Sequence, residues 1–130
     1  ATIVVFGGMT NLVLEVAKEL ILEEELFCEV ISPCLLQPAD TTSILESVVH
    51  TGALLTVEEG TLTAGLGAEL AAFIQEKVWH HLRAPILRVA AADSVIPSSP
   101  LAEAEVLPGK CNIKSAVREL ILRKTPGLSP

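Results

Sequence analysis

Short runs of β-branched residues alternate along this chain with longer stretches whose apolar residues return every three or four positions. The first run, Thr2-Ile3-Val4-Val5-Phe6, is closed by Gly7-Gly8 and reads as a strand. Residues 11–25 then read as a helix with Thr10 or Asn11 as N-cap. Val13, Val16, Ala17 and Leu20 keep helical spacing, and Leu14 and Ile21 widen the stripe, which predicts burial on more than one side. Cys28–Ser32 is a second strand, stopped by Pro33. Pro38 and Asp40 announce a second helix over residues 41–50, with Ile44, Leu45, Val48 and Val49 inward. Gly52 follows it at C′, and His50 reads as a cap in its last turn. Leu54–Glu58 is a third strand. A glycine-bearing connector, Gly60 to Gly67, leads into a long helix over residues 66–82. Its residues Leu66, Leu70, Phe73, Ile74, Val78 and Leu82 keep a period of about 3.6. Ala84-Pro85 ends it, and Ile86–Ala90 is a fourth strand.

Residues 93–111 carry Pro97, Pro100 and Pro108 and resist a regular assignment beyond a short helix starting at Ser99-Pro100. A connection this long is expected to wrap the domain or to serve a surface. Asn112 caps a last helix with Ile113, Ala116, Val117, Leu120 and Ile121 inward, and Thr125–Pro130 reads as a frayed tail after a domain spanning residues 1–124. Four strands alternating with helices imply an α/β fold with right-handed crossovers. The expected sheet is doubly wound and mainly parallel, in the order second-first-third-fourth. Its topological switch point then falls between the first and third strands.

Composition supports one packed domain. The chain has 130 residues, 50% hydrophobic and 19% charged, a size that buries about two thirds of its unfolded surface without disulfide or metal. With net charge −7, no Tyr, one Trp and three Phe, it lacks the basic face and stacking rings that nucleic-acid binding requires. Residues 1–60 hold ten acids and one base, Lys18, whereas residues 110–124 hold five bases and one acid, Glu119. Two readings follow: solvated helix faces, or a basic last helix that meets an acidic partner. Three cysteines without zinc spacing, no signal peptide and no apolar stretch long enough for a span fit a cytoplasmic protein with reduced thiols. The abrupt start inside a strand suggests a piece of a longer polypeptide.

The topological rule directs attention to Gly7-Gly8-Met9-Thr10 and to the connector Gly60 to Gly67, both leading into helix N-termini that can hold anions. Neither contains a dinucleotide or Walker pattern, and Glu58 and Glu59 would repel a phosphate. Glycines there serve tight turns and close helix–sheet packing more simply. As strand neighbours, Glu58 and Glu59 point to opposite faces and do not form a catalytic pair; one of them is expected buried at an interface. His80 and His81 sit about 100° apart on a helix, the wrong spacing for shared metal ligation, and read as a surface pair. Cys28 and Cys111 read as small core residues, and Trp79 as core or, if exposed, as an interface anchor. The residues by themselves therefore describe an α/β domain with no self-contained active site.

The ordered set of motifs resembles the C-terminal domain of the transketolase family, and within it the beta subunits of thiamine-diphosphate-dependent 2-oxo acid dehydrogenases (pyruvate, branched-chain or acetoin). The likeness rests on Thr2–Gly7, on Val30-Ile31 with Leu36-Gln37-Pro38-Ala39-Asp40, and on Thr51-Gly52 with Val57-Glu58-Glu59-Gly60. It continues through Gly65-Leu66-Gly67-Ala68-Glu69, Ala84-Pro85, Arg88-Val89, Ile96-Pro97 and Leu107-Pro108, and spans residues 2 to 122. Three positions depart from the family's pattern. Cys34 stands where an Arg often follows the second strand. Arg83 stands where beta subunits that dock on a basic subunit-binding domain often carry an acid. Ser98-Ser99 replaces an aromatic-rich stretch. A charge reversal at Arg83 would repel a basic partner.

The resemblance implies three α/β/α layers and catalysis located elsewhere. The Gly-Asp-Gly motif that holds diphosphate and Mg²⁺ belongs to another domain, and no such motif occurs here. It implies no catalytic, cofactor or metal residue in this domain, with thiamine diphosphate and Mg in the parent enzyme. The implied role is assembly and docking, with an alpha subunit, a second beta subunit and the lipoyl acyltransferase core as partners, and neither nucleic acid nor membrane. The implied compartment is the cytoplasm, or the mitochondrial matrix in a eukaryote. Residues 60–70 and 93–111 are the expected contact segments, with Glu59, Gly65, Leu66, Gly67, Ala68, Arg83 and Pro97 as candidate interface residues. Two rival readings are a single-chain transketolase or isoprenoid-precursor synthase relative, and a freestanding anion or nucleotide-binding module at the glycine-lined crevice.

Overall fold

A computed structural model describes residues 1–36 and 40–124. Pro38 as a helix signal and the tail Thr125–Pro130 lie outside the described residues. Four strands, β1 (Thr2–Val5), β2 (Glu29–Ile31), β3 (Leu54–Thr61) and β4 (Leu87–Ala91), pair in parallel in the order β2-β1-β3-β4. This is the expected order. The described helices are α1 (Thr10–Glu24), α2 (Thr42–Thr51), α3 (Leu66–Val78), α4 (Pro100–Val106) and α5 (Lys110–Lys124). Strand alternation sorts the core into two halves. Ile3, Val5, Leu55 and Val57 pack beneath α1 and α5, against Val13, Val16, Leu20, Ile113, Val117 and Leu120. Val4 and Leu54 face the other way, onto Ile44, Val48, Leu70 and Ile74 of α2 and α3. The result is the three-layer α/β/α arrangement.

Several local expectations are corrected. No side-chain N-cap starts α1. It continues directly from a 3-10 turn at Gly7–Met9, and the Thr10 hydroxyl donates to the Gly7 carbonyl at 3.0 Å. Leu14 and Ile21 are exposed, because the sheet and α5 cover only the Val13/Val16/Ala17/Leu20 stripe. On α2, Val49 is exposed and the inner face includes Ser47 and Thr51. The reason is Thr2 of β1, whose buried Oγ1 lies 2.7 Å from both Ser47 Oγ and Thr51 Oγ1. An apolar period does not register a hydroxyl that is satisfied across the interface. His50 caps no helix; its Nδ1 pairs with Glu29 at 2.9 Å. Asn112 lies inside α5 rather than before it and accepts from the Gly109 N–H at 2.9 Å. Cys111 is exposed rather than core. Cys28 is half-buried against the core, and burial pushes its thiol above the ordinary range.

The two charged segments of the sequence meet within the chain. Helices α1 and α5 run parallel, and each spaces its charges every four residues. Lys110 Nζ lies 2.9 Å from Glu15 and 3.0 Å from Glu19. Lys114 lies 2.8 Å from Glu19 and 3.1 Å from Glu23. Arg118 grips both oxygens of Glu24, at 2.9 and 2.6 Å. The acidic partner of the basic helix is thus α1.

Candidate functional site

The switch point lies where β1 and β3 end. Strand β3 runs through Thr61, three residues beyond the expected Glu58, so Glu58 and Glu59 do point to opposite faces. Glu58 is 3% exposed and turns toward α3. Its Oε2 accepts from the Leu66 N–H at 2.9 Å and its Oε1 from the Gly67 N–H at 2.8 Å. Residue 65, at the N-cap of α3, is a glycine with no side chain to offer. The strand carboxylate therefore supplies both the capping acceptors and the negative charge that a helix N-terminus favours.

The surrounding glycines have a steric cause. A Cβ on Gly65 would stand 2.7 Å from both Glu58 oxygens and 2.5 Å from the Thr61 carbonyl. One on Gly67 would stand 2.4 Å from Thr56 Oγ1 and 2.7 Å from Glu58 Oε1. Thr56 Oγ1 is buried and has no hydrogen-bond partner among the described residues. On the other face Glu59 is exposed and lies over the turn after β1, where a Cβ on Gly8 would come within 2.7 Å of its Oε1. Both loops at the switch point thus already hold a carboxylate of the chain itself. The residues present do not fit a diphosphate, which would have to displace Glu58 from the α3 amides and share the crevice with Glu59.

Beside this plug, between the starts of α2 and α3, an apolar groove of about 370 Å³ is lined by Phe6, Leu35, Leu36, Ile44, Leu66 and Phe73, with Asp40 and Glu69 as its charged lining. The connector after β3 is tied to β4. The Leu62 N–H donates to the Ala91 carbonyl at 3.1 Å, the Arg88 guanidinium donates to the Leu62 carbonyl, and the Thr63 N–H donates to Asp93 at 3.0 Å. The Thr63 bonds hold the Asp93 carboxyl below the usual carboxylate range.

The expected interface residues fall in four places. Gly65, at the N-cap, and Leu66, Gly67 and Ala68 at the start of α3 lie on the Glu58 side of the sheet, whereas Glu59 lies on the other side, over Gly8. Gly67 is buried against Glu58 and Thr56, whereas Leu66 is 44% exposed beside the groove. Pro97 lies in the connection after β4, at the same end of the sheet. Arg83 precedes β4 and so sits at the opposite end. His80 and His81 lie on a 3-10 turn, Trp79–His81, that ends the long helix early. No cluster of three metal-ligating side chains occurs among the described residues. Sequence reasoning missed the capping role of Glu58. The available signal was the shared strand parity of Thr56 and Glu58, with two glycines eight residues or so downstream.

The chain belongs to the transketolase C-terminal domain family, whose model matches residues 1–113. It is 34% identical over 119 residues to the pyruvate dehydrogenase E1 component subunit beta of Rickettsia bellii (strain RML369-C), covering 92% of this chain and 36% of that protein. It is 34% identical over 122 residues to the mitochondrial counterpart from Dictyostelium discoideum, covering 94% of this chain and 34% of that protein. The chain thus spans about a third of the length of these relatives. Among solved structures, "Split gene transketolase, inactive beta4 tetramer" superposes with TM-score 0.81 at 30% identity, over 95% of this chain and 40% of that one. No described helix is long and apolar enough to cross a membrane.

Proposed function

We propose that this chain is the C-terminal assembly domain of the beta subunit of a thiamine-diphosphate-dependent 2-oxo acid dehydrogenase, and that it supplies no catalytic group itself. The parent enzyme would decarboxylate a 2-oxo acid and pass the acyl group to a lipoyl arm. Thiamine diphosphate and Mg²⁺ would be held by other domains, in the cytoplasm or the mitochondrial matrix. One observation carries the reading. Six exposed apolar side chains follow the strand ends: Leu35 and Leu36 after β2, Leu62 and, at the start of α3, Leu66 after β3, and Val95 and Ile96 after β4. In a parallel sheet all these connections share one end. That end carries apolar surface where a ligand-binding crevice would carry open amides.

The alpha subunit and a second beta subunit are the partners this end would meet, with Leu66, Ala68, Glu59 and Pro97 in contact. Sedimentation of the chain alone and of Leu66→Glu is the test. Self-association beyond the 13.8 kDa monomer that Leu66→Glu weakens is expected. A monomer at every concentration that also fails to join a co-expressed alpha subunit would count against the assembly role. Stoichiometric binding of thiamine diphosphate in calorimetry would overturn the non-catalytic assignment.

A further inference from the structure

The groove between the starts of α2 and α3 joins residues held by the core to residues that are not. Ile44 belongs to the buried cluster, and Phe6 and Phe73 pack against it. Leu35, Leu36 and Leu66 are exposed. The charged lining is Asp40 and Glu69, both exposed. The Thr42 N–H donates to Asp40 Oδ1 at 3.0 Å, and the bonds from Thr42 hold that carboxyl below the usual carboxylate range. Among the described residues neither Asp40 nor Glu69 enters an ion pair. The cause is legible in the sequence. Between Lys18 and Lys77 there is no Lys or Arg, and His50, the one histidine of that stretch, pairs with Glu29. On α3 the first base is Lys77. It lies about two turns past Glu69, over the Phe73 ring and 5.9 Å from its centroid. The glutamates of α1 are answered by α5, whereas the groove is left apolar, acidic and without a cation of its own at the Asp40 and Glu69 end.

We propose that this groove is the docking site for a basic amphipathic segment of a partner protein, which seats an apolar side chain among Phe6, Leu36 and Phe73 and sets a Lys or Arg against Asp40 and Glu69. The apolar lining supplies the contact area, and the two carboxylates select the sign of the partner. A second copy of this chain is a poor source of such a segment. Its bases from Lys110 to Arg123 are answered by glutamates, and its Arg88 donates to the Leu62 carbonyl. Its Arg83 is tied to Gly52, with the Arg83 N–H donating to the Gly52 carbonyl at 2.8 Å and the methylenes packed on the glycine. The proposal deepens the assembly reading, on which it rests for a partner at this end of the sheet, and states that partner's chemistry.

The test is titration of the chain with a labelled helical peptide of lysine and leucine. It is read by anisotropy of the label, because Trp79 is exposed at the opposite end of the sheet. Saturable binding is expected. It should weaken about tenfold in Asp40→Asn/Glu69→Gln, where Asn still accepts from the Thr42 N–H. It should change by no more than about twofold in Glu46→Gln/Glu76→Gln, which removes the same charge from exposed positions of α2 and α3 outside the groove lining. Leu36→Ser should weaken it about tenfold. Peptides with glutamate for lysine, or serine for leucine, should show no saturable binding. Circular dichroism checks that the variants fold. The proposal is overturned by no binding of the lysine–leucine peptide, by equal binding of either substituted peptide, or by equal weakening in the two double variants. Self-association of the chain that is lost in Asp40→Asn/Glu69→Gln would make the occupant a second copy and overturn the assignment to a basic partner. The two readings fail separately. A chain that joins an alpha subunit through Leu66 but binds no peptide keeps the assembly role and overturns the groove's. A chain that binds the peptide as expected but never assembles supports the groove and counts against assembly.

Discussion

On one face of the sheet, α1 and α5 lie parallel and close over the core with a ladder of carboxylates and bases. On the other face α2 and α3 spread at their starts, leave an apolar groove, and are fastened by buried polar groups: the Glu58 cap on α3 and the hydroxyls of Thr2, Ser47 and Thr51 on α2. The same sheet is therefore sealed in two ways. Exposed ion pairs add little each and weaken with salt. A buried carboxylate accepting two amides is costly to remove, because the amides are then left without partners. The closed face is a surface that tolerates change. The open face ties its fold and its candidate interface to one residue.

The largest expected effect comes from breaking the open face. Glu58→Ala should lower unfolding stability by about 3 kcal/mol, and Glu58→Gln by about half that, since the amide keeps one acceptor. Urea unfolding checks both, and equal stability of Glu58→Ala and the parent chain would remove the capping argument. Gly67→Ala comes next, at about 2 kcal/mol, because its methyl meets Thr56 Oγ1 and the Glu58 carboxylate.

The closed face should respond more weakly and differently. Glu19→Lys should destabilise, and Glu19→Lys/Lys114→Glu should recover much of the loss, with both effects shrinking at high salt. Its pH window has two edges. Hydrogen bonds from Lys114 and Lys110 hold Glu19 below the ordinary carboxylate value of 4.5, and one from Arg118 holds Glu24 below it. Their stabilisation is complete above that unfolded value and disappears as pH falls through the lower folded one. Lys110 is pushed up to about 12 from 10.5 by Glu15 and then Glu19. Its share is complete below the unfolded value and disappears as pH rises through about 12. The stability gap between the parent chain and Lys110→Met/Lys114→Met should therefore narrow at both extremes in pH-dependent urea unfolding.

The smallest effect is expected at Glu25, which ends α1 with φ 57°. Glu25→Gly should raise stability by about 1 kcal/mol or less by relieving a left-handed side chain, measurable as a raised thermal midpoint.

Much of this was legible from the residues. Apolar runs and periods near four placed the four described strands and α1, α2, α3 and α5, and Ser99-Pro100 marked the start of α4. Strand alternation alone separates Glu58 from Glu59, because backbone geometry fixes which way neighbours point. The spacing of Glu15, Glu19 and Glu23 against Lys110, Lys114 and Arg118 was also present in the sequence. Yet complementary spacing does not say that two helices 90 residues or so apart lie side by side. What the tertiary structure alone decided are the long-range meetings: Thr2 with Ser47 and Thr51, Arg83 with Gly52, Glu58 with the amides of α3. Local pattern reports which face of an element is apolar. It does not report which partner arrives at that face, because closing a long loop depends on the packing of the whole chain rather than on either segment.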